Sequence, residues 1–260
     1  MAVKTLGLPL GGSKGVRIAL QVLIELMLVA DQGQNGLPKD VSDLADDPDG
    51  SATLSVLKKS LNLVRRLTGN EGGSLGLHPA VYFYGPTGRH SSAMFMGAVK
   101  LISRKLSDNN KEFFRTFSEV RSKLETILVD HKDLMATILQ KNISSKRVDR
   151  YANPLDQMIA ALAKGRTVLE SDLVILAGLD GKIVTGNSAD KPKKFSNDAK
   201  SHVFIQTALA SAVKCPICHG YMDPAKSVSY DHMHRVQDGG TARLNNLQLT
   251  HPYCNQSIKS

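Results

Sequence analysis

The sequence predicts a mainly α N-terminal domain followed by a small α+β C-terminal domain organised around a structural metal ion. Three observations carry this reading. Apolar residues recur at helical spacing through the first two-thirds of the chain, all three cysteines fall in the last fifth, and a Gly-, Pro- and Lys-containing stretch separates the two. The 260 residues, 42% hydrophobic and 22% charged, suffice for one large apolar core or two smaller ones.

Val16, Leu20, Leu23, Met27 and Ala30 mark one face of a helix over 14–31, and its other faces are apolar enough to predict burial. After a loop of Gly, Pro and Asp over 33–50, Leu54, Leu57, Leu61, Val64 and Leu67 mark a second helix that ends at Gly69. The Gly-rich segment 69–76 breaks the pattern, and Val81, Tyr82, Phe83 and Tyr84 form a β-prone run that fits a strand or a packed extended loop. Helical patterns return over 92–106, 111–139, 154–163 and 170–177. Residues 181–200, with Gly186, Lys191, Pro192, Lys193 and Lys194, read as an exposed basic linker. A short amphipathic helix over 202–213 then leads to Cys215, so the expected divisions are 1–180, 181–200 and 201–260.

The longest apolar stretch, 18–30, is interrupted by Gln21 and Glu25 and falls short of the roughly 20 residues a membrane span needs. No secretory core with a cleavage site stands at the N-terminus, so the chain is expected in the cytoplasm and off the membrane. Its formal net charge is +9; from Lys191 onward 9 basic residues face 4 acidic ones, against 24 and 20 in the preceding 190. That concentration favours a polyanionic partner without naming it.

The chemistry lies in the C-terminal segment. Cys215 and Cys218 at C-x-x-C spacing can point at one ion from a tight turn, and His251 and Cys254 at H-x-x-C spacing can do so from the start of a helix about 33 residues on. Together they make a closed Cys₃His zinc site with no open position, hence a structural one. A redox pair would need a strand-to-helix junction in a βαβ unit, which this segment lacks. If Cys254 were only a small buried hydrophobe and His251 a surface histidine, the 46 residues from Cys215 would be too few to fold unaided. Asp231, His232 and Asn255 remain once zinc is satisfied. A carboxylate and an amide oxygen are hard donors suited to Mg²⁺ or Mn²⁺. For adjacent Asp231 and His232 to reach one phosphate, their strand must end or twist there, and Gly239 and Gly240 let the following loop turn back sharply.

The run Asp231-His232, Gly239-Gly240, Asn246-Leu247-Gln248-Leu249 and Cys254-Asn255 resembles the HNH endonucleases of the ββα-metal (His-Me finger) superfamily, in their zinc-bracketed subgroup. The resemblance covers about residues 214–258. It implies a ββα-metal fold, His232 as general base, Asp231 and Asn255 as ligands of a catalytic divalent ion, and Asn246 as the residue that ties down the loop and orients the base. The third zinc position, commonly Cys in this subgroup, is His251. His234 would face the same side as His232 if the strand continued; a loop beginning first favours His232. Arg235, Arg243 and Lys226 are candidate phosphate contacts, each equally readable as a solvated charge.

Farther upstream, Leu75 to Tyr84, Gly88-Arg89 and the helical segment 113–139 resemble the helical region of modification-dependent restriction proteins of the GmrSD type, without their nucleotide-hydrolysing domain. The resemblances imply hydrolysis of DNA, most simply double-stranded, in restriction or anti-phage defence, by a homodimer or with a partner protein. The competing readings are a catalytically silent zinc module that binds nucleic acid, and a nuclease subunit that docks a separate nucleotide-hydrolysing partner. For His78, Tyr82 and Tyr84, a packed aromatic junction between helices is the simpler reading.

Overall fold

A computed structural model describes residues 16–32, 46–86, 88–141, 148–183, 194–195 and 197–259. Most of the basic linker and of the 33–50 loop lies outside the described residues. Helix α1 (Val16–Gln32) buries Val22, Leu26 and Val29, and α2 (Ser51–Thr68) sets Leu63, Val64 and Leu67 against it. Both helices lie where periodicity places them, but the buried faces differ from the expected ones: α1 turns Val22, Leu26 and Val29 inward and leaves Leu20 exposed, and α2 buries only its C-terminal half, with Leu54, Leu57 and Leu61 exposed. Helix α4 (Ser92–Ser107) is the centre of the bundle, packed on α1, α2 and α7 (Asp149–Ala163). Its start is fixed by Ser91, whose Oγ accepts from the Met94 amide at 3.3 Å, satisfying a donor that has no partner inside the helix.

The aromatic run is neither a strand nor an extended loop. Pro79–Tyr82 forms a single helical turn, α3, because Pro79 presets its first position and the His78 ring accepts from the Ala80 amide at 3.3 Å. Tyr82, Phe83 and Tyr84 are all buried, as a junction between helices requires. The long pattern over 111–139 divides at His131 into α5 (Lys111–Asp130) and α6 (Lys132–Gln140). The break brings the Lys132 ammonium into the core, where it donates to Val81 O at 2.9 Å and Tyr84 O at 3.0 Å, carbonyls at the end of α3. Short α8 (Glu170–Leu176) buries Leu173 and Val174. In α9 (Asn197–Ala210), Ile205 and Leu209 join the same large core.

The C-terminal segment is α+β. Strands β1 (Ser229–His232) and β2 (Leu247–Thr250) pair antiparallel, with Asp231 opposite Gln248 and His232 opposite Leu247, and the terminal helix (Cys254–Ile258) packs against β1. It is docked closely on the helical part. Tyr253 joins the large core beside Phe114, and the Arg66 guanidinium lies over both rings at 5.4 and 4.8 Å. Backbone bonds close the seam: Tyr253 N–H to Ser74 O at 2.9 Å, and Val228 N–H to the Asn70 side chain at 2.8 Å. No helix among the described residues is long and apolar enough to cross a membrane.

Candidate functional site

Two sites share the C-terminal segment. The first is built by a tight hairpin: Cys215 N–H donates to Gly220 O at 2.9 Å and Met222 N–H to Val213 O at 2.9 Å, so Cys215 and Cys218 are turned inward together. His251 and Cys254, at the end of β2 and the start of the terminal helix, meet them. The four donor atoms lie within 4.8 Å of one another and all four residues are buried. A tetrahedral ion with Zn–S about 2.3 Å needs its corners about 3.5–3.8 Å apart, so the set is compatible with zinc after small adjustment.

The electrostatics of these side chains agree with that use. Crowding of three sulfurs splits their acidities: hydrogen bonds from Cys218 and Cys254 hold the Cys215 thiol far below its usual range, while the Cys215 sulfur pushes Cys218 up to about 11 and raises Cys254 strongly. Burial keeps the His251 ring neutral, as a ligand must be. Its Nε2 lies 3.1 Å from Tyr221 O, while Nδ1 lies 3.3 Å from the Cys218 sulfur. Donation from Nε2 to the carbonyl leaves Nδ1 to the metal, the usual way a ligating histidine is oriented.

The second site opens beside it. Asp231, His232, Arg235, Val236, Gln237, Asn255 and Lys259 line a cleft of about 530 Å³. Strand β1 ends at His232, which is how neighbouring residues come to face one cleft. His234 is exposed in the loop and does not line it. Asp231 is buried, and Gln248 Nε2 and Lys259 Nζ donate to its Oδ2 at 2.7 and 2.8 Å; among the described residues Oδ1 accepts no bond. Lys259 Nζ also donates to His232 O. Asn255 uses its Nδ2 inward, on Ser229 Oγ at 2.8 Å and Tyr230 O at 3.3 Å, which leaves its amide oxygen for another partner. An unbonded carboxylate oxygen and an amide oxygen fit a hard divalent cation.

Asn246 pins the loop between the strands. Its Oδ1 accepts from His234 N–H at 2.7 Å, and its Nδ2 donates to His234 O and Thr241 O at 2.9 and 2.8 Å. Its own carbonyl accepts from Met233 N–H at 2.9 Å, directly after His232. Gly239 takes φ +93°, and a side chain on Gly240 would strike His234 O, so the doubled glycine is what the return of this loop demands. Sequence reasoning missed Gln248, Ser229 and Lys259 as partners of the site. Gln248 was within reach, since it stands opposite Asp231 once the strands are paired in register.

Residues 215–260 match the family model of the HNH endonuclease, and that segment holds the Cys₃His cluster. The match supports nuclease chemistry and DNA binding for this segment and does not extend to the helical part. No curated protein and no solved structure matches the chain.

Proposed function

We propose that the chain is a metal-dependent endonuclease that hydrolyses DNA phosphodiester bonds, with zinc as its structural ion and Mg²⁺ or Mn²⁺ as its catalytic one. The observation that carries this reading is the convergence of Asp231, His232 and Asn255 on one cleft beside the four-ligand cluster. Asp231 and Asn255 would hold the catalytic ion through their oxygens. When bound, that ion supplies positive charge to the scissile phosphate and the departing 3′ oxygen. His232 takes a proton from a water, and the resulting hydroxide attacks phosphorus in line as the 3′ oxygen leaves. Asn246 holds the peptide after His232 and so limits how the imidazole can swing. Arg235, on the cleft wall, is suited to a flanking phosphate.

Residues 1–180 serve recognition or partner binding, 181–200 join them to the nuclease part over 201–260, and the setting is restriction of foreign DNA in the cytoplasm. The net charge of +9 supports a polyanionic substrate. A single base cuts one strand, so a double-strand break takes two copies or two successive events.

Supercoiled plasmid incubated with the protein and Mn²⁺ should be nicked, and His232→Ala should lose about 10²–10⁴ of that rate while keeping zinc and fold. Loss in His234→Ala instead would move the base to the neighbouring histidine. Normal cutting by both variants would overturn the mechanism.

A further inference from the structure

The segment from Leu75 to Tyr82 and the middle of α5 are not absorbed by the nuclease cleft, yet the middle of α5 holds two fully buried charges of opposite sign. Arg121 and Glu125 are each 1% exposed and paired through Nε and Oε1 at 2.7 Å. A buried pair in the middle of an apolar core costs desolvation, and its position calls for a reason beyond stability. The further bonds of the pair run to the segment around Gly76 and across the seam to Tyr221 of the C-terminal segment. Arg121 Nη1 donates to Leu75 O at 2.5 Å and Nη2 to Gly76 O at 2.8 Å, with Tyr221 O at 3.5 Å. Glu125 Oε2 accepts from Tyr221 N–H at 2.6 Å, and Oε1 also accepts from the Tyr82 hydroxyl at 3.0 Å.

Tyr221 is where this network meets the metal cluster. Its N–H is held by Glu125, and its carbonyl faces the Nε2 of His251 at 3.1 Å. The imidazole is closed in from the other side by Gly76, at φ +57°, where an added Cβ would lie 2.7 Å from His251 Cδ2. His251 therefore sits between Tyr221 of its own segment and Gly76 of the helical part, and Glu125 and Arg121 hold those two walls.

We propose that Arg121 and Glu125 are positioning residues of the metal centre: acting through the backbone of Tyr221, they hold the His251 ring with Nδ1 toward the thiolates, so the helical part sets how tightly the ion is retained. The proposal rests on the reading that the Cys₃His cluster holds zinc. Outer partners of this kind typically contribute about 10–100-fold to metal affinity.

A double-mutant cycle on the zinc-loaded full chain tests it, with zinc affinity read by competition against a chromogenic chelator. Glu125→Gln should weaken zinc binding by about 10-fold or more in the parent. In a His251→Cys background the fourth ligand is a thiolate that makes no bond to Tyr221 O, and there Glu125→Gln should change affinity by less than about twofold. Equal losses in both backgrounds would make Glu125 a general prop of the fold and overturn the proposal. If Glu125→Gln does not fold, Arg121→Lys carries the same cycle: it keeps the charge but lacks the fork that reaches Leu75, Gly76 and Glu125 together. The visible spectrum of the Co²⁺-loaded chain gives a second reading, since a reoriented imidazole shifts the ligand-field bands and a distant destabilisation does not. Absence of zinc from the folded parent would overturn both the metal reading and this one. A zinc-loaded protein that passes the cycle but cuts no DNA would strike the nuclease reading alone.

Discussion

Phe83, Val99, Leu124, Ile138, Met158 and Leu173 are fully buried in one continuous core of the helical part, whereas the buried apolar set around Cys215, Cys218 and Cys254 shrinks to Met222, with Ile217 and Leu249 at its edge. The helices fold by removing apolar area from water, each face adding to the next. The C-terminal segment has too few apolar residues for that, and two other devices hold it: four ligands that can share an ion, and a seam of polar bonds to the helices. The cluster and the cleft are tied together in the chain, because Asn255 on the cleft wall directly follows Cys254.

Loss of the ion that the four residues can share should separate the two regions. Chelation, or Cys254→Ser, should disorder the segment after the hairpin while the far-ultraviolet signal of the helices largely persists. Structural zinc contributes on the order of 10 kcal/mol or more in small domains, beyond what any one apolar side chain supplies. Hydrogen exchange resolved along the chain would check it. Joint loss of protection in helices and strands would mean a single cooperative unit.

The complementary perturbation strikes the helical core. Phe117, 2% exposed, packs beside Tyr82 and Phe113 with the Arg121 guanidinium 5.4 Å from its ring centre. Phe117→Ala should lower stability by about 3–5 kcal/mol. Zinc stoichiometry, measured on the folded fraction, should stay unchanged, since no ligand moves with the ring. Zinc loss at this substitution would show that the core reaches the ligands by packing as well as through Arg121.

Acid is a milder test. Burial pushes His90 down to about 4 and lowers His78 and His251 from their ordinary value near 6.5. Between pH 6.5 and 4 the unfolded chain holds protons on these rings that the folded chain does not, so their contribution, fully present above pH 6.5, is lost on acidification. Protons also compete with the ion for thiolates and His251. A pH titration following zinc release and helix signal together should therefore show release first. Release that lags behind helix loss would show that the metal segment outlasts the helical core in acid.

Much of this was legible in the sequence because the relevant physics is local. Residues that can share one ion must sit at short fixed spacings, so the pairs Cys215/Cys218 and His251/Cys254 that cluster here stood out, and the glycine pair marked a sharp return of the loop; the part of Asn246 came from the family resemblance instead. Helix positions followed from periodicity, but the break at His131 did not: apolar spacing runs straight through it, and its cause is Lys132 meeting Val81 O and Tyr84 O, about 50 residues earlier in the chain. The aromatic run looked β-prone, and Pro79 with its His78 cap made it a helical turn. Arg121 and Glu125 carry no signal of burial in their i,i+4 spacing, because the docking of Gly76 and Tyr221 onto that face is what buries them.

A smaller effect is expected at Lys259, directly after the terminal helix. Lys259 Nζ donates to Asp231 Oδ2 and to His232 O, so in the absence of a divalent ion its ammonium supplies the positive charge facing that carboxylate. An ion held by Asp231 and Asn255 would have to share the carboxylate with Lys259 or displace it. Lys259→Met keeps the aliphatic stem and removes the competing charge. The side chain is 19% exposed and Gln248 still donates to Asp231, so the fold should lose little. Calorimetric titration of the zinc-loaded protein with Mn²⁺ should then show affinity rising about 3- to 10-fold, equivalent to roughly 1 kcal/mol. Unchanged or weaker Mn²⁺ binding would mean that Asp231 serves Lys259 as a structural counter-charge, and the ion would have to be sought elsewhere in the cleft. In that case the C-terminal segment would be held by a second polar clasp in addition to its metal, and its contrast with the helical core would sharpen.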